Sequence, residues 1–127
     1  MKKAHLTFDA PAPIGPYSQS IQAGNILYIS GQIAIDPVSG NLITENIEDE
    51  THQVLKNIGA ILKGAGLDYV HVVSCTVFVK DMDQFSRINS IYTQYFSEVQ
   101  PPARALVQVS ALPKYVNIEI AAIAHFD

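Results

Sequence analysis

Tryptophan is absent from this chain of 127 residues, and cysteine occurs only at Cys75. A lone cysteine excludes an internal disulfide and any cysteine-built metal cluster, and it suits a reducing compartment. Charge is scarce as well: 16% of residues are Asp, Glu, Lys or Arg, and the formal net charge is -4. Lys56, Lys63, Lys80 and Lys114 stand singly, so there is no basic stripe to neutralise a run of phosphates. Neither nucleic acid nor an anionic membrane is therefore expected as a partner. No apolar run approaches a membrane span, and the lysines of "MKKAHLTFDAPAP" are followed by no apolar leader segment, so a cytoplasmic protein is expected.

Apolar residues, in contrast, are abundant. The chain is 48% hydrophobic, and a length of this order fits one domain, residues 1–127. A small domain has much surface to cover with polar groups, so part of this apolar surface is expected to be hidden in an oligomer.

Proline and glycine punctuate the chain. "DAPAPIGPYSQS" (Asp9–Ser20) holds three of the seven prolines and should run extended over the surface. Two strand-like runs follow in "SIQAGNILYISGQIAI", separated by Gly24-Asn25, a two-residue hairpin signal. A turn at "DPVSGN" (Asp36–Asn41) closes this region. Val54, Leu55, Ile58, Ile61 and Leu62 recur at helical spacing, predicting a helix from about Ile47 to Lys63 that "GAG" (Gly64–Gly66) stops.

"VHVVSCTVFVK" (Val70–Lys80) is a β-branched strand. After it, "DMD" can cap a second helix with Phe85, Ile88, Tyr92 and Phe96 on one face. "RALVQV" and "VNIEIAAIAHF" are the last strands. The order β-β-α-β-α-β-β, with too few helices to cover two faces, predicts an α+β sandwich with both helices on one face of the sheet. The other face then needs a partner.

Period-2 alternation sets Arg104, Leu106 and Gln108 against Ala105, Val107 and Val109. Likewise Asn117, Glu119, Ala121 and Ile123 share a face opposite Ile118, Ile120, Ala122 and Ala124. The small apolar face of each strand is expected to meet the helices. The mixed face, with Arg104 and Glu119, is expected to form a subunit interface that contains a polar site.

Arg104 follows the stiff pair Pro101-Pro102 and carries a planar fork of donors that matches a carboxylate. It is either a ligand clamp or one end of a structural ion pair. Arg87, four residues after Asp83, suits a surface pair with that acid. Glu119 interrupts the most apolar strand, where a carboxylate is either paired, with Arg104 or a lysine, or has a raised pKa useful for moving protons. Asn89 either caps a backbone group or points into a cleft, and Gly31 after Ser30 permits a bulge or the close approach of a ligand to the backbone.

Several chemistries find no support. Ser30 lies outside a G-x-S-x-G elbow, the four histidines lack metal-ligand spacing, Cys75 alternates with valines as a buried thiol does, and "KGAGLD" ends a helix instead of opening one.

"IGPYSQS" (Ile14–Ser20), "YISGQI" (Tyr28–Ile33), "VFVKDMDQFSRIN" (Val77–Asn89) and "PPARALVQVSALP…NIEIAAIA" (Pro101–Ala124) together resemble the RidA family, also called YjgF or UK114. The resemblance implies a chorismate-mutase-like fold, a homotrimer with sheets facing a central core, and ligand clefts between subunits. It also implies hydrolysis of reactive 2-imino acids, such as 2-iminobutanoate and 2-iminopropanoate, to 2-oxo acids and ammonia, with no metal or organic cofactor. These imines arise from pyridoxal-phosphate-dependent dehydratases.

By the same resemblance, Arg104 binds the substrate carboxylate and Glu119 positions the attacking water. Tyr17, Ser30, Gly31 and Asn89 line the cleft, and the backbone at Leu106 contacts substrate. Leu106 stands where many members have cysteine, Gln108 where an acid is frequent, and Ala121 where a second glutamate often follows, departures expected to alter specificity more than reaction class. Two alternatives stay open: a non-catalytic 2-oxo acid sensor using the same cleft, and a ribonuclease, which the lack of a basic patch disfavours.

Overall fold

The computed structural model describes residues 1–127. Its main elements are β1 (Lys2–His5), β2 (Ser20–Ala23), β3 (Ile26–Gln32), α1 (Ile47–Gly64), β4 (Val72–Val79), α2 (Phe85–Tyr92), β5 (Ala103–Gln108) and β6 (Ile118–His125). The strands form one mixed sheet in the order β1-β2-β3-β6-β4-β5. Only the β4–β5 pair is parallel, its crossover made by α2. The architecture is α+β, with two helices on one face of the sheet, as expected.

One strand was missing from the expected order. Lys2–His5 pairs antiparallel with β2 at the sheet edge, Lys2 opposite Ala23 and His5 opposite Ser20. Its residues are almost all exposed and carry no alternating apolar pattern. Main-chain pairing recruits them, helped by a 2.8 Å hydrogen bond between the His5 ring and the Gln22 side chain, and local propensity reports neither.

Helix α1 forms where its capping chemistry and its apolar stripe agree. The Asn46 side chain accepts a hydrogen bond from the Asp49 amide at 2.8 Å, and Glu48, Asp49 and Glu50 complement the positive end of the helix dipole. Ile47, Val54, Leu55, Ile58, Ile61 and Leu62 are buried, and Gly66 takes the left-handed conformation (φ 82°) that ends the turn. Helix α2 is shorter than its apolar pattern suggests. Ile88, Ile91 and Tyr92 point inward, Phe96 is buried beyond the last turn, and Phe85 stays 40% exposed.

Both helices pack on Ile118, Ile120, Ala122 and Ala124 of β6, together with Leu27, Ile29, Cys75, Val77 and Val79. Burying each of the larger side chains contributes about 1.5–3 kcal/mol. This confirms the helix-facing side predicted for β6.

For β5 the prediction was reversed. The register pairs Arg104 with Cys75 and Leu106 with Val77, so Arg104, Leu106 and Gln108 lie on the helix side. Ala105 and Val107 are exposed on the opposite side. The edge position is the cause: α2 reaches β5 through Phe85, Asn89 and Tyr92, which leave room for a cation that a sealed core would reject. The face away from the helices carries Tyr28, Ala105, Val107, Ala121 and Ile123, with no helix over it.

Candidate active site

The residues singled out from the sequence fall into two groups on opposite faces of the sheet. Tyr17, Ser30, Gly31 and Glu119 line one cleft of about 350 Å³. Arg104, Asn89 and Leu106 lie on the helix side. Arg104 and Glu119 therefore form no ion pair within one chain, and neither carries any other salt bridge. The expectation that both charges share one face is corrected by the parallel β4–β5 register, which turns Arg104 to the side opposite Glu119.

The cleft is built by stitching the proline-rich strap onto β3. Gln19 is 2% exposed. Its Nε2 donates to the carbonyls of Thr7 and Pro11 at 3.0 and 2.9 Å, and its Oε1 accepts from the Thr7 amide at 2.9 Å. From β3, the Ser30 amide donates to the Gln19 carbonyl at 3.0 Å and Ser30 Oγ donates to the Ser18 carbonyl at 2.6 Å. Ser30 thus holds the cleft wall. The Tyr17 hydroxyl accepts from the Ile14 amide at 3.4 Å, folding the strap back on itself.

Glu119 depends on a glycine. The β3–β6 ladder slips between Ile29 and Gln32, and a Cβ placed on Gly31 would lie 2.5 Å from Glu119 Oε2 and 2.8 Å from its Cδ. The bulge that Gly31 permits occurs, and the group that comes close to its backbone is the chain's own carboxylate. Partial burial pushes the Glu119 carboxyl above its usual range. Apolar walls from Pro11, Ile14 and Ile33 surround it.

On the other face, Arg104 Nη1 donates to Asn89 Oδ1 at 2.8 Å. Its guanidinium carbon lies 4.7 Å from the centre of the Tyr92 ring and 5.7 Å from that of Phe85. Asn89 therefore serves the arginine and no backbone group. Cys75 is buried, as expected, and burial pushes its thiol pKa up while Tyr92 and Arg104 act in the opposite direction. Gln108 accepts from the Met82 amide at 2.9 Å, tying β5 to the entry of α2.

Arg87 pairs with Glu48 and not with Asp83, through a fork of 2.8 and 2.7 Å. That pair joins the two helices, and it draws the Glu48 carboxyl down to about 2.

Gln19, Phe85 and Tyr92 escaped the sequence reading as site residues. Nothing local marks Gln19, and Phe85 and Tyr92 read as ordinary members of an apolar helix face. No three His, Cys, Asp or Glu side chains gather as a metal site would require.

A family model described as endoribonuclease L-PSP matches residues 7–126. The chain belongs to the RidA/YjgF family. A RutC family protein of Pyrococcus horikoshii is 53% identical over 98% of each chain. The human 2-iminobutanoate/2-iminopropanoate deaminase is 50% identical over 98% of this chain and 90% of its own length. Among solved structures, Escherichia coli TdcF with bound serine superposes with a TM-score of 0.92 at 39% identity, covering 98% of this chain and 99% of that one. In this RidA-family chain Leu106 packs its side chain against the main core, on the same side of β5 as Arg104.

Proposed function

We propose that this RidA-family chain is a deaminase that hydrolyses small 2-imino acids, among them 2-iminobutanoate and 2-iminopropanoate, to 2-oxo acids and ammonia. The observation that carries the reading is a mismatch of charge. Arg104 is a fixed cation with no anion, and Glu119 is a half-buried carboxylate with no cation, on opposite faces of one sheet. Each is half of a site for a substrate that is both an acid and an electrophile. Bringing the Arg104 edge of one copy to the Glu119 cleft of the next completes it, and a closed ring of three copies, sheets inward, does so while covering the open sheet face. The names of the human relative and of serine-bound TdcF support a small amino-acid-like ligand.

In the proposed reaction Arg104 clamps the carboxylate in two parallel hydrogen bonds, which sets the imine carbon against Glu119. Glu119 accepts a proton from water as its oxygen bonds to that carbon. The raised pKa suits the same group to return the proton to nitrogen. The C–N bond then breaks, ammonia leaves, and the carbonyl forms as the deprotonated Glu119 takes the remaining hydroxyl proton. A protonated imine is already electrophilic, so the residues named here are sufficient for this route without a cofactor. Subunits of one domain acting in the cytoplasm complete the reading.

The ribonuclease activity suggested by the family model's description is not favoured, because Lys56, Lys63, Lys80 and Lys114 stand singly in a chain of formal net charge -4. The test couples a threonine or serine dehydratase to its amino acid and follows 2-oxo acid release. Acceleration by the wild-type protein, lost in Arg104→Ala and in Glu119→Ala, is expected. A folded oligomer that gives no acceleration, yet binds 2-oxo acid with an affinity that survives Glu119→Ala, would make the protein a sensor.

A further inference from the structure

We propose that Tyr92 is a positioning residue for Arg104, its ring fixing the plane in which the guanidinium presents its free N–H groups to the substrate carboxylate. The inference rests on the reading of Arg104 as the carboxylate clamp.

An arginine side chain has many rotamers to lose, and a clamp that must first be ordered binds weakly. Arg104 has no acidic partner to order it. Its one hydrogen bond, to Asn89, leaves the guanidinium free to pivot about that contact. A second restraint is needed, and two rings are available.

Phe85 is 5.7 Å away and 40% exposed, so it is itself loosely held. Tyr92 is 4.7 Å away and 6% exposed. Its ring is backed by Phe96 at 4.7 Å, which in turn meets Tyr69 edge-on at 5.8 Å. The Tyr92 hydroxyl is buried and makes no hydrogen bond. Tyr92 is therefore the rigid platform.

An aromatic platform does what a carboxylate in its place could not. A carboxylate would order the guanidinium by occupying its N–H groups and neutralising its charge. A ring face attracts the cation through its quadrupole and leaves both the charge and the outward donors available. The ring carries this role and the hydroxyl does not, since the guanidinium lies over the ring while the hydroxyl makes no hydrogen bond.

The experiment compares wild type, Tyr92→Phe, Tyr92→Leu and a series with phenylalanine bearing one to five ring fluorines at position 92. Each is assayed for KM and kcat on a 2-imino acid, for the Kd of 2-oxobutanoate, and for thermal unfolding. Fluorine drains the ring quadrupole at nearly constant shape, so a merely structural role does not respond to it. We expect Tyr92→Phe to stay within about threefold of wild type. Tyr92→Leu should weaken Kd and raise KM about tenfold, equivalent to about 1.4 kcal/mol, with kcat changed less than about threefold.

Kd should climb with fluorine number while the unfolding midpoint stays level. A flat Kd across the fluorine series, or wild-type affinity in Tyr92→Leu, overturns the inference. If Tyr92→Leu does not fold, the fluorine series decides alone. A wild-type protein that binds 2-oxobutanoate without hydrolysing imines overturns the deaminase reading and leaves the Kd series to judge Tyr92.

Discussion

Arg104 stands on the helix side of the sheet, on two rings and an amide, whereas Glu119 stands on the open side, across a glycine from a strap that Gln19 and Ser30 hold down. The cation is ordered by groups that do not neutralise it. The carboxylate is kept uncharged more readily than usual by apolar surroundings. Opposite physical means thus produce a common condition, a charged or chargeable group lacking its complement. A buried unpaired charge is costly, so such a group persists where function or assembly supplies the partner. The difference also teaches where each half is vulnerable: one through its aromatic support, the other through its backbone.

The largest expected effect breaks the comparison in two. Arg104→Ala and Glu119→Ala should each lower kcat/KM by about a hundredfold or more. Mixed after dissociation and reassembly in equal amounts, the two inactive proteins should regain about a quarter of wild-type activity, since about one cleft in four then joins an intact Arg104 to an intact Glu119. No recovery in confirmed mixed oligomers would place both groups in one subunit's site and reject the split.

A smaller effect probes the carboxylate half alone. Gly31→Ala puts a methyl against the Glu119 carboxylate, which must swing away because its far end yields more easily than the strand does. We expect kcat to fall about 10- to 100-fold while the Kd for 2-oxobutanoate changes less than about threefold. Loss of affinity equal to the loss of rate would show that Gly31 shapes binding and not the position of Glu119.

The smallest effect is a stability difference with a defined sign. Because the folded-state pKa of Glu119 is raised, its contribution is fully present below the ordinary glutamate value and is lost as pH rises through the folded value. Glu119→Gln removes that loss. Its unfolding midpoint should match wild type at pH 4 and exceed it by on the order of 1 °C at pH 8. A lower midpoint at pH 8 would mean that a cation from another copy already pairs with the carboxylate.

Much of this architecture was legible in the residues. The hairpin at Gly24-Asn25, the stop of α1, and the buried side of β6 follow from turn chemistry and periodicity, which act over a few residues. Arg104, Glu119 and Gly31 stood out because each is a residue type out of keeping with its neighbours. Less legible were β1, recruited by pairing with β2, and Gln19, whose role lies in bonds to a strap up to twelve residues away. The partner of Arg87 was misread for the same reason: Glu48 is remote in sequence and near only once the helices pack.

By itself, then, the sequence determined the element types, the two periodicities and the chemistry-bearing side chains, because these depend on local backbone preference and side-chain identity. The tertiary structure alone decided which face of β5 carries Arg104. Alternation says that Arg104 and Leu106 share a side but not which side. That choice was made when β4 and β5 paired in parallel with α2 folded over their edge, a long-range arrangement whose register sets Arg104 beside Cys75 and beneath Tyr92.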